Sequence, residues 1–133
     1  MERQIKKIIL KGTSGYCDFK DQFQEKVEIT EESITYEGIF PGKEEKKEER
    51  WEGETLPQEF EKIANLFVEG WEKEVALFVT DVGTIEIILV HSDGKEEKKE
   101  ISMVGHFFQK ALEEVRKWIP EGEEVPVLLS VVE

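Results

Sequence analysis

The sequence predicts an α+β domain, with an antiparallel sheet of about seven or eight strands and two amphipathic helices packed mainly on one face. Three observations carry this. Two apolar runs, Val75 to Val79 and Ile85 to Val90, have the length of strands, are rich in β-branched residues and flank the turn residues of Thr80-Asp81-Val82-Gly83-Thr84. Two segments repeat apolar residues at the spacing of one helix face. These are Phe60, Ile63, Ala64 and Phe67, and then Phe108, Ala111, Leu112, Val115 and Ile119. Elsewhere, short alternating runs separated by turn residues read as hairpins.

In chain order, Ile5 to Lys11 is a first strand, broken by Gly12-Thr13-Ser14-Gly15. That loop lacks the lysine of a phosphate-binding loop and reads as a plain connection. Glu25 to Thr30 and Ile34 to Phe40 form a hairpin, with Val27 and Ile29 on one face and Ile34 and Tyr36 alternating against Thr35 and Glu37. The Lys/Glu run from Lys43 to Glu49 is expected to be a solvated loop or edge, and Arg50 to Glu54 a further strand anchored by Trp51. Thr55-Leu56-Pro57-Gln58 has the spacing of a capping box for the first helix, which Gly70 would end. Trp71 then falls in a turn and is the aromatic expected to remain partly exposed.

Val75 to Val79 and Ile85 to Val90 are apolar on both faces or nearly so, which places them inside the sheet. Ser92-Asp93-Gly94 turns the chain into a polar edge strand, Lys95 to Ile101. Ser102 is positioned to cap the second helix, Phe107 and Trp118 widen its stripe, and Pro120 and Gly122 stop it. Val127 to Val132 reads as a last strand. The hexapeptide Lys-Glu-Glu-Lys-Lys-Glu at Lys43 to Glu48 recurs at Lys95 to Glu100, each time between a hairpin strand and a helix. Two similar β-β-β-α units would produce this order; recurrence by composition alone, in a chain that is 37% charged, is the other reading.

Length and charge set the remaining bounds. A chain of 133 residues is one domain, spanning residues 1–133, and long enough to bury a sizeable core. With 18 basic and 31 acidic residues the net charge is −13, which opposes nucleic acid and anionic membranes, whose phosphates bind through Lys and Arg. A single cysteine, Cys17, and no apolar run of membrane-spanning or signal length lead to the expectation of a cytoplasmic protein.

Candidate chemistry is sparse. A cysteine nucleophile needs a base within hydrogen-bond reach, so Cys17 would work with His91 or His106, oriented by Asp18, Asp81 or Asp93. His91 and Asp81 bracket one strand and lie roughly 30 Å apart at about 3.3 Å per residue, which leaves Cys17, His106 and Asp81 as the geometrically allowed triad. The competing reading has Cys17 as a small buried hydrophobe and His106 as a polar residue of the helix's first turn. Two histidines and one cysteine lack the paired spacing of a zinc site, and no calcium loop is present, so no metal or other cofactor is expected. Trp71 is the candidate ligand or partner contact. The acidic excess selects a basic or amphipathic protein partner. A non-enzymatic interaction module is therefore the leading expectation, and a small hydrolase or transferase using Cys17 and His106 the alternative.

Gly15-Tyr16-Cys17-Asp18, Ser33-Ile34-Thr35-Tyr36-Glu37, the lone Trp51 before a helix, Thr80-Asp81-Val82-Gly83, Phe107-Phe108 and Val125-Pro126-Val127-Leu128 follow one another along most of the chain. In this order they resemble a group of small uncharacterised single-domain proteins from anaerobic Firmicutes. The resemblance implies a bacterial single-domain protein and carries no activity, cofactor or catalytic residue. It lapses at the Lys/Glu runs around residues 43–49 and 95–100.

Overall fold

The computed structural model describes residues 5–14, 22–44, 48–73, 84–102, 108–123 and 125–130. Six strands form one sheet: β1 (Ile5–Thr13), β2 (Gln24–Thr30), β3 (Ser33–Ile39), β4 (Glu48–Glu54), β5 (Thr84–His91) and β6 (Glu96–Ser102). Their spatial order is β4-β3-β2-β1-β5-β6, and every neighbouring pair is antiparallel. Two helices, α1 (Pro57–Lys73) and α2 (Gln109–Arg116), and a short helical turn, α3 (Val127–Ser130), complete the described elements. The α+β class and the antiparallel sheet with its two amphipathic helices are as the sequence predicts.

Period-two alternation decides which face carries the core. Ile8 and Leu10 of β1, Val27 and Ile29 of β2, Ile34 and Tyr36 of β3, and Ile85, Ile87 and Leu89 of β5 are all buried and point one way. They pack in one cluster with Phe60, Ile63, Ala64 and Phe67 of α1 and Ala111, Leu112 and Val115 of α2. Phe67 and Phe108 bridge the helices with ring centroids 5.8 Å apart, and Lys62 of α1 lies 3.5 Å from Glu114 of α2. The opposite face carries Lys7, Ile9 and Lys11 of β1, Lys26 and Glu28 of β2, Glu86 and Ile88 of β5 and Lys98 of β6. Ile88 is only 3% exposed yet stands apart from the core cluster, which makes β5 apolar on both faces as its sequence foretold.

Among the described residues the sheet has six strands, so the expected seven or eight are not confirmed, and several other expectations are corrected. Val127–Ser130 is helical, not a strand. Its amides find partners other than a sheet edge: Leu128 N–H donates to the Glu25 carboxylate at 2.8 Å and Leu129 N–H to the Pro126 carbonyl at 3.0 Å. Val75 to Val79 lies outside the described residues. The two similar β-β-β-α units are not confirmed: β2-β3-β4-α1 has three strands before its helix, and β5-β6-α2 has two among the described residues.

Helix α1 does not stop at Gly70 but runs on to Lys73, so Trp71 is helical rather than in a turn. A mid-helix glycine costs about 1 kcal/mol relative to alanine. Trp71, packed on the core and set edge-on to Phe108 at 6.5 Å, offsets that cost with buried aromatic surface. Thr55 forms no part of the expected capping box, because its hydroxyl donates to the Thr30 carbonyl at 2.7 Å and its amide to the Glu32 carbonyl at 3.1 Å. It ties the entry of α1 to the β2–β3 turn, and Pro57 takes the first helical position. Ser102 ends β6 opposite Thr84, and α2 begins only at Gln109.

Candidate functional site

Among the described residues, one carboxylate is buried on the helix-covered face of the sheet. Glu25 is register partner to Gly12 of β1 on one side and to Gly38 of β3 on the other, and all three residues are buried. Two neighbours without side chains leave a niche for the glutamate. The niche is closed by Tyr36, whose ring folds over Gly38 so that a Cβ at that glycine would collide with the tyrosine hydroxyl and lie 2.9 Å from Phe40. The Tyr36 hydroxyl donates to Glu25 Oε2 at 2.7 Å, and the Leu128 amide donates to Oε1 at 2.8 Å. Glu25 and Tyr36 make further interactions besides these. A carboxylate taken from water needs such donors on both oxygens, since an unpaired buried charge is strongly unfavourable.

On its other side Tyr36 stacks on Trp51 of β4, with centroids 5.4 Å apart and planes at 24°. The Trp51 indole nitrogen is buried and has no hydrogen-bond partner among the described residues. Glu25, Tyr36 and Trp51 thus form a continuous row across three strands. Chemically, the row fastens the helical turn α3 to the sheet: the carboxylate accepts the Leu128 amide in the first turn of α3, one of the donors a helix start leaves without an intrahelical partner.

A second buried polar side chain sits at the opposite end of the sheet. His91 continues the inward series Ile85, Ile87, Leu89 of β5, and its Nε2 lies 3.5 Å from Glu97 Oε2 of β6. Neither ring nitrogen has a hydrogen-bond partner among the described residues, so the contact with Glu97 is one of proximity and is an ion pair only with a protonated ring. The adjoining turn is closed by Gly94, in the left-handed region at φ 88°, and by the Lys95 amide donating to Asp93 Oδ1 at 3.0 Å. That bond, followed by the charge of Lys95, holds the Asp93 carboxyl below its usual range. On α2, the hydrogen bond from Lys117 likewise lowers the Glu114 carboxyl, and Glu114 in turn raises Lys117.

Cys17, Asp81 and His106 all lie outside the described residues. The strand ends nearest to them are in register: Thr13 pairs with Thr84, their hydroxyls 3.0 Å apart, and Thr84 pairs with Ser102. Trp71 is half-buried, with its carbonyl accepting from Lys99 Nζ at 2.8 Å and its ring 5.0 Å from the same ammonium. Its ring is engaged by Lys99 and Phe108 within the fold. Glu25 was missed by sequence reasoning, though the signal was present: it precedes Val27 and Ile29 at the same parity.

The described carboxylates divide sharply. Against the buried Glu25 stand the side chains of Glu31 and Glu32 in the β2–β3 turn and of Glu48, Glu49, Glu52 and Glu54 on β4, which have neither ion pair nor hydrogen bond. Arg50, the single cation on β4, is 3.9 Å from Glu37 and widely exposed. Among the described residues no group of three or more metal-ligating side chains converges, and no helix is long and apolar enough to cross a membrane. The architecture is a six-stranded antiparallel sheet with helices on one face, and no family model, curated protein or solved structure matches the chain.

Proposed function

We propose that the protein is a non-enzymatic interaction module whose acidic surface takes a basic or amphipathic protein partner. The observation that carries this reading is the set of unpaired glutamates along β4 and the β2–β3 turn, in a chain of net charge −13. Uncompensated like charges raise the energy of the free protein and are relieved by a cationic partner, which they also steer toward the surface. The same field repels nucleic acid and anionic lipid.

Titration of the full chain with hexalysine and with hexaglutamate, followed by calorimetry, tests the proposal. Hexalysine should bind and hexaglutamate should not. Binding should weaken as salt shortens the Debye length from about 10 Å near 0.1 M to about 3 Å near 1 M. Failure of hexalysine to bind at low salt, or equal binding of both peptides, would overturn the reading.

A further inference from the structure

Resting on that reading, we infer that the partner is held as an added strand on β4, through an extended segment whose alternate residues are basic. β4 ends the sheet, and its seven residues pair in register with β3 alone among the described residues. One side of its backbone therefore presents amide and carbonyl groups that pair with no other described strand, the template used in strand addition. The strand is held firmly for this role. Trp51 is buried and stacked on Tyr36, and Gly53 lies so close to Pro120 that an added Cβ would stand 3.0 Å from its ring.

Parity defines the segment that fits. Glu48, Arg50, Glu52 and Glu54 project from the open face, whereas Glu49, Trp51 and Gly53 project toward the helices. A strand laid beside β4 sets its side chains about 4.5–5.5 Å from these, so Lys or Arg on the open face meets Glu48, Glu52 and Glu54. On the helix face, small apolar residues suit the place beside Trp51 and Gly53. Past the end of β4, Leu56 continues the open-face parity and is 57% exposed, an apolar contact for the partner's end. The other edge is unlike this one. β6 mixes Lys98 and Lys99 with its glutamates, Lys99 is bound to Trp71, and Glu97 lies against His91. A second copy of β4 laid antiparallel about Trp51 would set Glu48 against Glu54 and offer a cation only where Arg50 meets Glu52, which favours a wholly cationic strand over self-pairing.

The test uses the full chain with the peptide Lys-Val-Lys-Thr-Lys-Val-Lys and its analogue methylated on alternate backbone nitrogens, read by amide hydrogen exchange and calorimetry. The plain peptide should slow exchange of outward amides of β4 and leave β6 unchanged. The methylated analogue, and the E52K/E54K variant with the plain peptide, should each bind at least about tenfold more weakly, the loss expected when hydrogen bonds or cross-strand charge pairs are removed. Circular dichroism of the variant confirms that it folds. If both peptides bind equally, or β4 exchange is unaltered at saturation, strand addition is wrong while the acidic-module reading stands. If neither peptide nor hexalysine binds, both fall.

Discussion

Replacing Glu25 with alanine will destabilise the protein by about 2–6 kcal/mol, because two buried donors lose this acceptor and each orphaned donor costs about 1–3 kcal/mol. Those donors are the Tyr36 hydroxyl and the Leu128 amide. The damage will not be uniform. The amide bond spans 103 residues of sequence, so its loss releases α3 from β2 while β2 keeps its ladders to β1 and β3. Urea unfolding reads the total loss, and amide hydrogen exchange at residues 127–130 reads the local one. Glu25→Gln keeps one good acceptor and should lose less, as should Tyr36→Phe, which leaves the Leu128 bond to Glu25 in place. An alanine variant within about 0.5 kcal/mol of the parent, the range of an ordinary surface change, would contradict the tie.

Phe67→Ala will cost about 3–5 kcal/mol, the usual consequence of emptying a fully buried aromatic site. Phe67 is 0% exposed, lies on the inner stripe of α1 and meets Phe108 at the entry to α2. Its removal leaves a cavity between the helices and the sheet, and the aromatic pairing is lost with it. Against the 5–15 kcal/mol typical of a whole domain, the variant should unfold at much lower denaturant. Val68→Ala, one residue along and 40% exposed, is the control and should shift stability by less than about 0.5 kcal/mol. Equal losses at the two positions would mean that the stripe does not face the core.

What was legible in the sequence is what short-range periodicity encodes. The inward parity of Val27 and Ile29, of Ile34 and Tyr36, and the i, i+3, i+4, i+7 stripe of Phe60 to Phe67 all appear as read. What was not legible depends on partners far along the chain. Leu128 and Leu129 sit in an apolar, β-prone run, yet one buried carboxylate on β2 accepts the amide that a strand would have paired. Gly70 looked like a helix end until the burial of Trp71 beyond it is considered. Thr55 had the right spacing for a cap, and its hydroxyl went instead to Thr30. Glu25 shows the same limit from the functional side. Its parity said inward, but only Gly12 and Gly38 on the neighbouring strands, with Tyr36 above, explain how a carboxylate can stay there.

The acidic residues divide into two groups: Glu25 is bonded within the fold, and the β4 glutamates, which we propose as partner contacts, carry neither ion pair nor hydrogen bond among the described residues. The denaturant stability of the E48Q/E52Q/E54Q variant tests this most directly. Neutralising three like charges that lack counterions should leave stability unchanged or raise it slightly, since exposed charges contribute little to folding and their mutual repulsion is relieved. A fall of more than about 1 kcal/mol would show that these side chains support the fold, contradicting their assignment to a partner.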